Sequence, residues 1–195
     1  MNTRSFGVVG TLLLAALGCG DDTGSLTDPA PPAPQPDISA AAGLQFEQVS
    51  GGGAHTCGVT AEGQAYCWGY NESGQLGAGT STGPELCVGF AGPFACSTRP
   101  ALVEGGHKFR QVSAGEHHTC GVTTSDRAYC WGDNGGRLGD GTTTRRPRPV
   151  AVAGGHRFRQ VDAGFAHTCA VTSDDQAYCW GSDDFGQLGA RTAQD

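Results

Sequence analysis

The feature that most constrains this chain is one stretch of sequence that occurs three times. It reads HTCGVTAEGQAYCWG, HTCGVTTSDRAYCWG and HTCAVTSDDQAYCWG, starting at His55, His118 and His167. In each case a Phe-x-Gln-Val segment and a Gly-containing turn precede the stretch, and a Gly-rich segment ending in Leu-Gly follows it. The fold must therefore be built from three similar pieces.

The residue types and the repeat period predict an all-β fold. The apolar runs are short, rich in β-branched and aromatic residues, and bounded by Gly, as strands are. The 33 Gly, 10 Pro and 16% charged residues suit short strands and tight turns better than helices. A period of roughly 50 residues is typical of propellers and solenoids. The sequence predicts about 11 strands in three repeat units.

Each repeat contains two cysteines placed symmetrically about a three-residue loop. In the first copy the loop AEG sets Cys57 opposite Cys67. Such a loop needs a left-handed residue in its last position, where Gly63, Asp126 and Asp175 stand, and all three tolerate that conformation. We expect the cysteines to face each other in a non-hydrogen-bonded pair, about 4.5 Å apart at Cα, which suits a disulfide. Each such bond contributes roughly 2–3 kcal/mol.

The nine cysteines divide into four pairs and one remainder. The predicted disulfides are Cys57–Cys67, Cys87–Cys96, Cys120–Cys130 and Cys169–Cys179, which leave Cys19. Disulfides persist in oxidising compartments such as the periplasm or the cell surface. A redox-active or metal-binding dithiol is the alternative, but the spacing is not the Cys-x-x-Cys of such sites. We therefore predict no cofactor and no metal.

The N-terminal segment accounts for the remaining cysteine. Residues 1–18 carry one Arg and an apolar run that is long enough for a signal-peptide core and too short to span a bilayer. The segment resembles a bacterial lipoprotein signal, in which Cys19 becomes the lipidated first residue. Ordinary cleavage and secretion is the alternative. Residues 19–43 are rich in Pro, Ala and Asp and are predicted to form a disordered tether.

The segments that follow each Trp complete the repeat and suggest a family. They read WGYNESGQLG, WGDNGGRLGD and WGSDDFGQLG. With His-Thr-Cys and Ala-Tyr-Cys-Trp-Gly, they resemble the repeat of the regulator of chromosome condensation family, in a disulfide-containing bacterial lipoprotein form, from residue 44 to residue 189. The resemblance implies a β-propeller of seven four-stranded blades. Three units (44–107, 108–156 and an incomplete 157–195) cannot close a ring. We therefore expect a partial propeller that belongs to a longer protein or, alternatively, a ring assembled from several copies.

One end of the predicted blades carries the residues that differ between copies. Because strands alternate in direction, the turn after the first strand and the loop after Trp-Gly lie on one face. Repeat proteins that keep a core and vary such loops build binding surfaces there. The candidate binding residues are Tyr70, Asn71, Phe90, Phe94, Glu116, His117, Asp133, Arg137, Phe165, Asp183, Asp184 and Phe185. Phe90 and Phe94 fall between Cys87 and Cys96, in a predicted disulfide-closed loop, and either anchor a partner or pack back onto the blade.

Other candidate sites have simpler structural explanations. His55, His118 and His167 recur, so a metal ring near the propeller axis is one interpretation. They lack local ligand spacing, and hydrogen bonding within the fold explains them better. The Asp-rich loops do not match the spacing of a calcium-binding loop. The basic segment Arg145–Arg148 is predicted to be a solvated loop.

These features predict a binding module of the bacterial cell envelope, periplasmic or at the cell surface, rather than an enzyme. The net charge of −7 argues against nucleic acid as a partner. The family is known for nucleotide exchange on a small nuclear GTPase, which is not expected here because the leader directs the chain out of the cytoplasm. The expected partner is an unidentified protein or glycan, and the membrane is reached through the lipid anchor alone. The alternatives are a structural envelope lipoprotein without a specific partner, and a glycan-active enzyme using Glu116, Asp183 and Asp184.

Overall fold

The structure is a computed structural model that describes residues 44–189. The predicted signal peptide, Cys19 and the tether lie outside this range, as do residues 190–195. The described part consists of twelve strands and their connections. Within it, no helix has the length and apolar character needed to cross a membrane. The predicted all-β fold is confirmed.

The strands form three antiparallel sheets, one for each repeat unit, which we call blades one to three. Blade one holds β1 (Phe46–Gly51), β2 (His55–Thr60), β3 (Ala65–Tyr70), β4 (Glu85–Gly89) and β5 (Gly92–Leu102), in the order β1-β2-β3-β5-β4. Blade two holds β6 (Phe109–Ala114), β7 (His118–Thr123), β8 (Ala128–Gly132) and β9 (Arg146–Ala151), in chain order. Blade three holds β10 (Phe158–Ala163), β11 (His167–Thr172) and β12 (Ala177–Gly181).

The central hairpin of each blade has the predicted register. Cys57 lies opposite Cys67, and their disulfide joins Cα atoms 4.1 Å apart. The N–H of Thr60 donates to the carbonyl oxygen of Gln64, and Gly63 closes the loop with a φ of 76°. The hairpins of blades two and three repeat the arrangement, with disulfide Cα separations of 4.0 and 4.1 Å. A short sequence separation and one left-handed residue thus account for three of the four disulfides.

The segment between Cys87 and Cys96 differs from the prediction, because it is a β-hairpin rather than a loop. Strands β4 and β5 pair directly, and Phe90 and Ala91 form the turn between them. Cys87 lies opposite Phe94, so its disulfide to Cys96 crosses the ladder diagonally, with Cα atoms 5.8 Å apart. The hairpin adds a fifth strand to blade one, and its Gly and Pro residues concealed that pattern in the sequence.

A recurrent glutamine joins each blade to the next. The amide of Gln48 donates from Nε2 to the carbonyl oxygen of Val112 and accepts from its N–H at Oε1, both at 2.9 Å. Gln111 holds Val161 in the same way, at 2.9 and 3.1 Å. The Gln of the Phe-x-Gln-Val segment therefore satisfies the backbone of a strand in the neighbouring blade, where no ladder partner reaches it.

Removing this glutamine is expected to weaken the joint between blades. In Gln111→Ala, the N–H and C=O of Val161 lose both partners in a partly buried setting, which costs about 1–3 kcal/mol. Gln160→Ala is the matched control, since Gln160 is exposed and its amide forms no hydrogen bond within residues 44–189. Urea unfolding of the oxidised chain measures both costs. Equal costs for the two variants would contradict the proposed role of this pair of side-chain hydrogen bonds, which we call the glutamine clamp, in joining one blade to the next.

A second recurrent contact uses the His, Thr and Trp of the repeat. Thr119 donates its hydroxyl proton to the carbonyl oxygen of Gln75 at 2.8 Å, and Trp131 donates its indole N–H to the same oxygen at 2.9 Å. Because the hydroxyl proton is committed, His55 must donate its Nε2–H to Thr119 Oγ1, 2.8 Å away. The next joint repeats the contact with His118, Thr168, Trp180 and the carbonyl of Arg137. These histidines are thus part of the joints between blades.

Candidate binding face

The loops after the first strand and after Trp-Gly meet on one face of the blades, as predicted. The ring centroids of Tyr70 and His117 lie 5.9 Å apart, across the joint between blades one and two. The N–H of Asp133 donates to the carbonyl oxygen of His117 at 2.9 Å. Glu116 reaches back against Gly53 of blade one, which has no side chain to obstruct it. In blade three the N–H of Ser182 donates to the carbonyl oxygen of Ala166 at 2.9 Å, and Gly164 lies against Gly115 of blade two. Two loops from each blade therefore form one continuous surface, which we call the loop face.

Ion pairs order the part of the loop face that belongs to blade two. Asp133 accepts from Arg145 at 2.9 Å and lies 3.4 Å from Arg137. Glu116 lies 3.9 Å from His117. Arg145 was not among the candidate residues, because the basic segment was interpreted as a solvated loop. Its side chain is 63% exposed, yet its guanidinium is held at the face by Asp133.

Blade one contributes a groove between its hairpin and the loop after β3. The groove has a volume of 470 Å³ and is lined by residues that include Tyr70, Glu72, Leu86, Phe94 and Arg145. The hydroxyl of Tyr70 donates to Glu72 at 2.6 Å, and this hydrogen bond raises the pKa of the phenol above its usual value. Aromatic, acidic and basic groups therefore border one opening.

Two of the candidate residues have structural roles instead. Asn71 is 1% exposed, and its side chain donates to the carbonyl oxygen of Thr80 and accepts from the N–H of Leu76. Asp183, at the same position of blade three, accepts from the N–H of Leu188 at 2.9 Å. Asn71 is thus unavailable to a partner, and the prediction was wrong because a buried Asx side chain organises this loop from within. The carboxylate of Asp183 is likewise engaged with its own loop.

The two aromatic residues of the blade-one hairpin behave differently from each other. Phe94 packs against Tyr70, with ring centroids 5.3 Å apart, so it turns back onto the blade. Phe90 lies at the turn and is fully exposed. Leu86 and Val88 are 74% and 84% exposed on the same hairpin, and sequence reasoning missed both. The alternating apolar residues of ELCVGF were the available signal, had the segment been recognised as a strand.

Blade three places the other candidate aromatics at its loops. Phe165 and Phe185 are exposed, at 72% and 94%. Asp184 is exposed and accepts from the hydroxyl of Ser182 at 2.7 Å. Each of these loops thus presents an apolar ring to solvent.

The recurrent histidines do not form a metal site in the described part of the chain. No three His, Cys, Asp or Glu side chains between residues 44 and 189 converge as metal ligands would. Burial, with a smaller effect from the nearby charge of His117, lowers the pKa of His55 to about 4. Burial, with a smaller effect from the nearby charge of Arg137, lowers the pKa of His118 to about 3. Both rings are therefore neutral at physiological pH.

Comparison with known proteins supports the repeat described above. Residues 62–122 and 125–171 match the Regulator of chromosome condensation (RCC1) repeat, and a second description of that repeat matches residues 46–75, 109–136 and 158–187. The chain is 33% identical over 102 residues to the ultraviolet-B receptor UVR8 of Arabidopsis thaliana, covering 52% of this chain and 21% of the receptor. It is 38% identical over 96 residues to the human regulator of chromosome condensation, covering 47% and 20%. The chain thus spans about a fifth of the length of these relatives.

Solved structures show the same fold. Human WBSCR16 superposes with a TM-score of 0.58 at 21% identity, over 71% of this chain and 33% of that one. Prp20p of Saccharomyces cerevisiae superposes with a TM-score of 0.57 at 24% identity, over 77% and 36%. The three sheets correspond to blades of these larger proteins. Since the repeat matches cover more than half of its residues, the chain belongs to the RCC1 repeat family.

Proposed function

We propose that the chain is an envelope-anchored, extracytoplasmic binding module whose loop face recognises a protein or a glycan. The observation that carries the proposal is the set of exposed apolar rings, Phe90, Phe165 and Phe185, at the loops and turns of otherwise well-packed blades. Large exposed aromatic side chains are costly in water and are common anchors of interfaces. The Cys87–Cys96 disulfide ties the hairpin that carries Phe90 before binding, which reduces the entropy lost on association there.

The relatives support protein binding as the general activity. A yeast relative, Prp20, has been solved bound to Kap60, with a TM-score of 0.54 to this chain at 23% identity. Other relatives are ubiquitin-like ligases such as human HERC5, but this chain matches 8% of that protein. We therefore propose binding and no catalysis for the region described.

The four disulfides support the proposed location. All eight cysteines between residues 44 and 189 are paired, which is typical of proteins in oxidising compartments. Cys19 is left over from this set, at the end of an apolar leader. Its lipidation would place the blades at a membrane surface.

Crosslinking on intact bacterial cells tests both parts of the proposal. With the wild-type chain as bait, we expect a crosslinked partner in the membrane fraction. Phe90→Ser should remain in that fraction but recover at least about tenfold less partner, since an interface anchor contributes roughly 2 kcal/mol. Cys19→Ala should move to the soluble fraction.

The control for the loop face is Leu102→Ser. Leu102 is 49% exposed and lies opposite Tyr66, near the connection to blade two and away from the loop face. Like Phe90→Ser, the Leu102→Ser substitution replaces an exposed apolar side chain of blade one with serine, but at a position away from the loop face. If Leu102→Ser loses the partner as strongly as Phe90→Ser does, the loop face is not the binding surface.

A further inference from the structure

Strand β4 is the outer strand of blade one and carries a row of exposed apolar side chains. The order β1-β2-β3-β5-β4 leaves one edge of β4 without a neighbouring strand among residues 44–189. Leu86 and Val88 project from β4 to the same side, at 74% and 84% exposure, and Phe90 continues the alternation into the turn. Exposed apolar side chains on a free edge are what an additional strand would cover.

The backbone of β4 turns its free hydrogen-bonding groups outward at the same two residues. Ala95, opposite Leu86, directs its carbonyl oxygen to the N–H of Asn71 and therefore away from β4. Val88 lies opposite Pro93, which has no N–H to give. Both are thus non-hydrogen-bonded pairs of the β4–β5 ladder, and the N–H and C=O groups of Leu86 and Val88 face the open edge.

The hairpin is held in place and has no protection against pairing. The Cys87–Cys96 disulfide ties β4 to β5, and Phe94 anchors the hairpin on Tyr70. Edge strands are commonly protected by Lys, by Pro or by a bulge. Between residues 85 and 96 the charged residue is Glu85, and the β4–β5 register runs without a shift from there to the turn. The edge is therefore ordered and accessible at once.

We propose that β4 docks an extended segment of a partner protein by strand addition, with apolar side chains at alternate positions of the segment. The segment residues opposite Leu86 and Val88 exchange backbone hydrogen bonds with them and project to the same side, extending one apolar surface. The groove lined by Leu86, Tyr70 and Arg145 receives side chains that flank the paired stretch. A second copy of this chain fits less well, because the net charge of −7 opposes self-association.

This inference rests on the proposed function and specifies the kind of partner that the loop face recognises. The probe is a displayed library of random peptides long enough to form a strand, selected on the full oxidised chain. We expect the selected peptides to carry Val, Ile or Phe at alternate positions. Val88→Pro removes the outward N–H without removing a bond of the β4–β5 ladder, and Pro is tolerated at such edge positions. It should weaken the selected peptides at least about tenfold, which corresponds to the loss of one to two hydrogen bonds.

The control variant is Val88→Thr, which keeps the N–H and the β-branched shape. It should weaken binding by less than about threefold, since the side chain stays on the same surface. Retention of the Cys87–Cys96 disulfide, read by mass spectrometry, confirms that each variant has kept its hairpin. Peptides that bind Val88→Pro as tightly as the wild type would overturn strand addition. A wild-type dimer that Val88→Pro dissociates would overturn the choice of occupant, because β4 would then pair with a second copy of this chain.

Failure of this inference is distinguishable from failure of the proposed function. If Val88→Pro leaves peptide binding unchanged while Phe90→Ser still loses the crosslinked partner on cells, the loop face binds and the strand edge does not. If neither variant has an effect, both proposals fail.

Discussion

Lowering the pH from 7.5 to 5 is expected to reduce the free energy of unfolding by about 4 kcal/mol, through two buried histidines. In the unfolded chain His55 and His118 take up a proton near pH 6.5. In the folded chain their pKa values are about 4 and about 3, so both stay neutral down to pH 5. The unfolded state therefore binds more protons as the pH falls, and it gains about 2 kcal/mol for each histidine by pH 5.

The sign of the effect follows from the hydrogen bonds of the joint. Each imidazole donates its Nε2–H to a Thr hydroxyl of the next blade, so the neutral ring already satisfies that partner. The Nδ1 atoms of His55 and His118 are buried and have no hydrogen-bond partner within residues 44–189. Protonation would place a charged N–H there without an acceptor, which is strongly unfavourable in a buried setting. The contribution of the two neutral histidines to the free energy of unfolding is thus present above about pH 6.5. It is lost as the pH falls from 6.5 towards the folded pKa values of about 4 and about 3.

Urea unfolding at several pH values between 7.5 and 5 measures this dependence without titrating most carboxylates. His118→Asn provides the test, because its amide does not titrate; the side chain is too short to place an N–H where His118 Nε2 lies, so the bond to Thr168 is lost. We expect this variant to lose stability at neutral pH and to retain about half of the wild-type pH dependence. A pH dependence that His118→Asn leaves unchanged would show that other groups carry the effect.

The sequence predicted the local structure of each blade well, because that structure depends on residues close together in the chain. The cysteine symmetry and one left-handed loop position determine the register of the hairpin, and Gly63 and Asp126 both have the positive φ that the loop requires. The β4–β5 hairpin was missed because Gly89, Gly92 and Pro93 interrupt the apolar pattern that marks a strand. The alternation of Leu86, Val88 and Phe90 becomes recognisable once the Cys87–Cys96 disulfide is understood to join two paired strands rather than to close a loop.

The partners in the contacts between blades could not be assigned from the sequence, because these contacts join residues far apart in the chain. Gln48 and Val112 are separated by 64 positions, and no local pattern shows that a strand glutamine serves the backbone of another blade. On the loop face, Tyr70 and Asn71 are adjacent in sequence, yet one lines the groove and the other is buried. Recurrence between copies was the usable signal, since Gln, His and Thr recur at the joints while the residues of the loop face differ.

Replacing Trp131 with Ala is expected to have the largest effect of any single change considered, about 3–5 kcal/mol. Trp131 is fully buried, and its ring centroid lies 5.7 Å from that of Phe109. Its indole Nε1 donates to the carbonyl oxygen of Gln75, so the ring joins blade two to the loop of blade one. Gly77 has a φ of 70°, and a side chain there would meet the indole at 2.7 Å. Because Gly77 has no side chain with which to replace the indole, Trp131→Ala leaves a cavity between the two blades.

Trp131→Phe separates the volume of the ring from its hydrogen bond. Phenylalanine keeps most of the packing and loses the indole N–H, but Thr119 still donates to the Gln75 carbonyl, so we expect a cost of about 1–2 kcal/mol. Urea unfolding followed by far-UV circular dichroism measures both variants. Trp131→Ala should also broaden the transition, because blades that have lost their shared core unfold more independently. A cost below about 1 kcal/mol for Trp131→Ala would instead mean that the glutamine clamps hold the blades together without this ring, since filling the joint contributes that much at least.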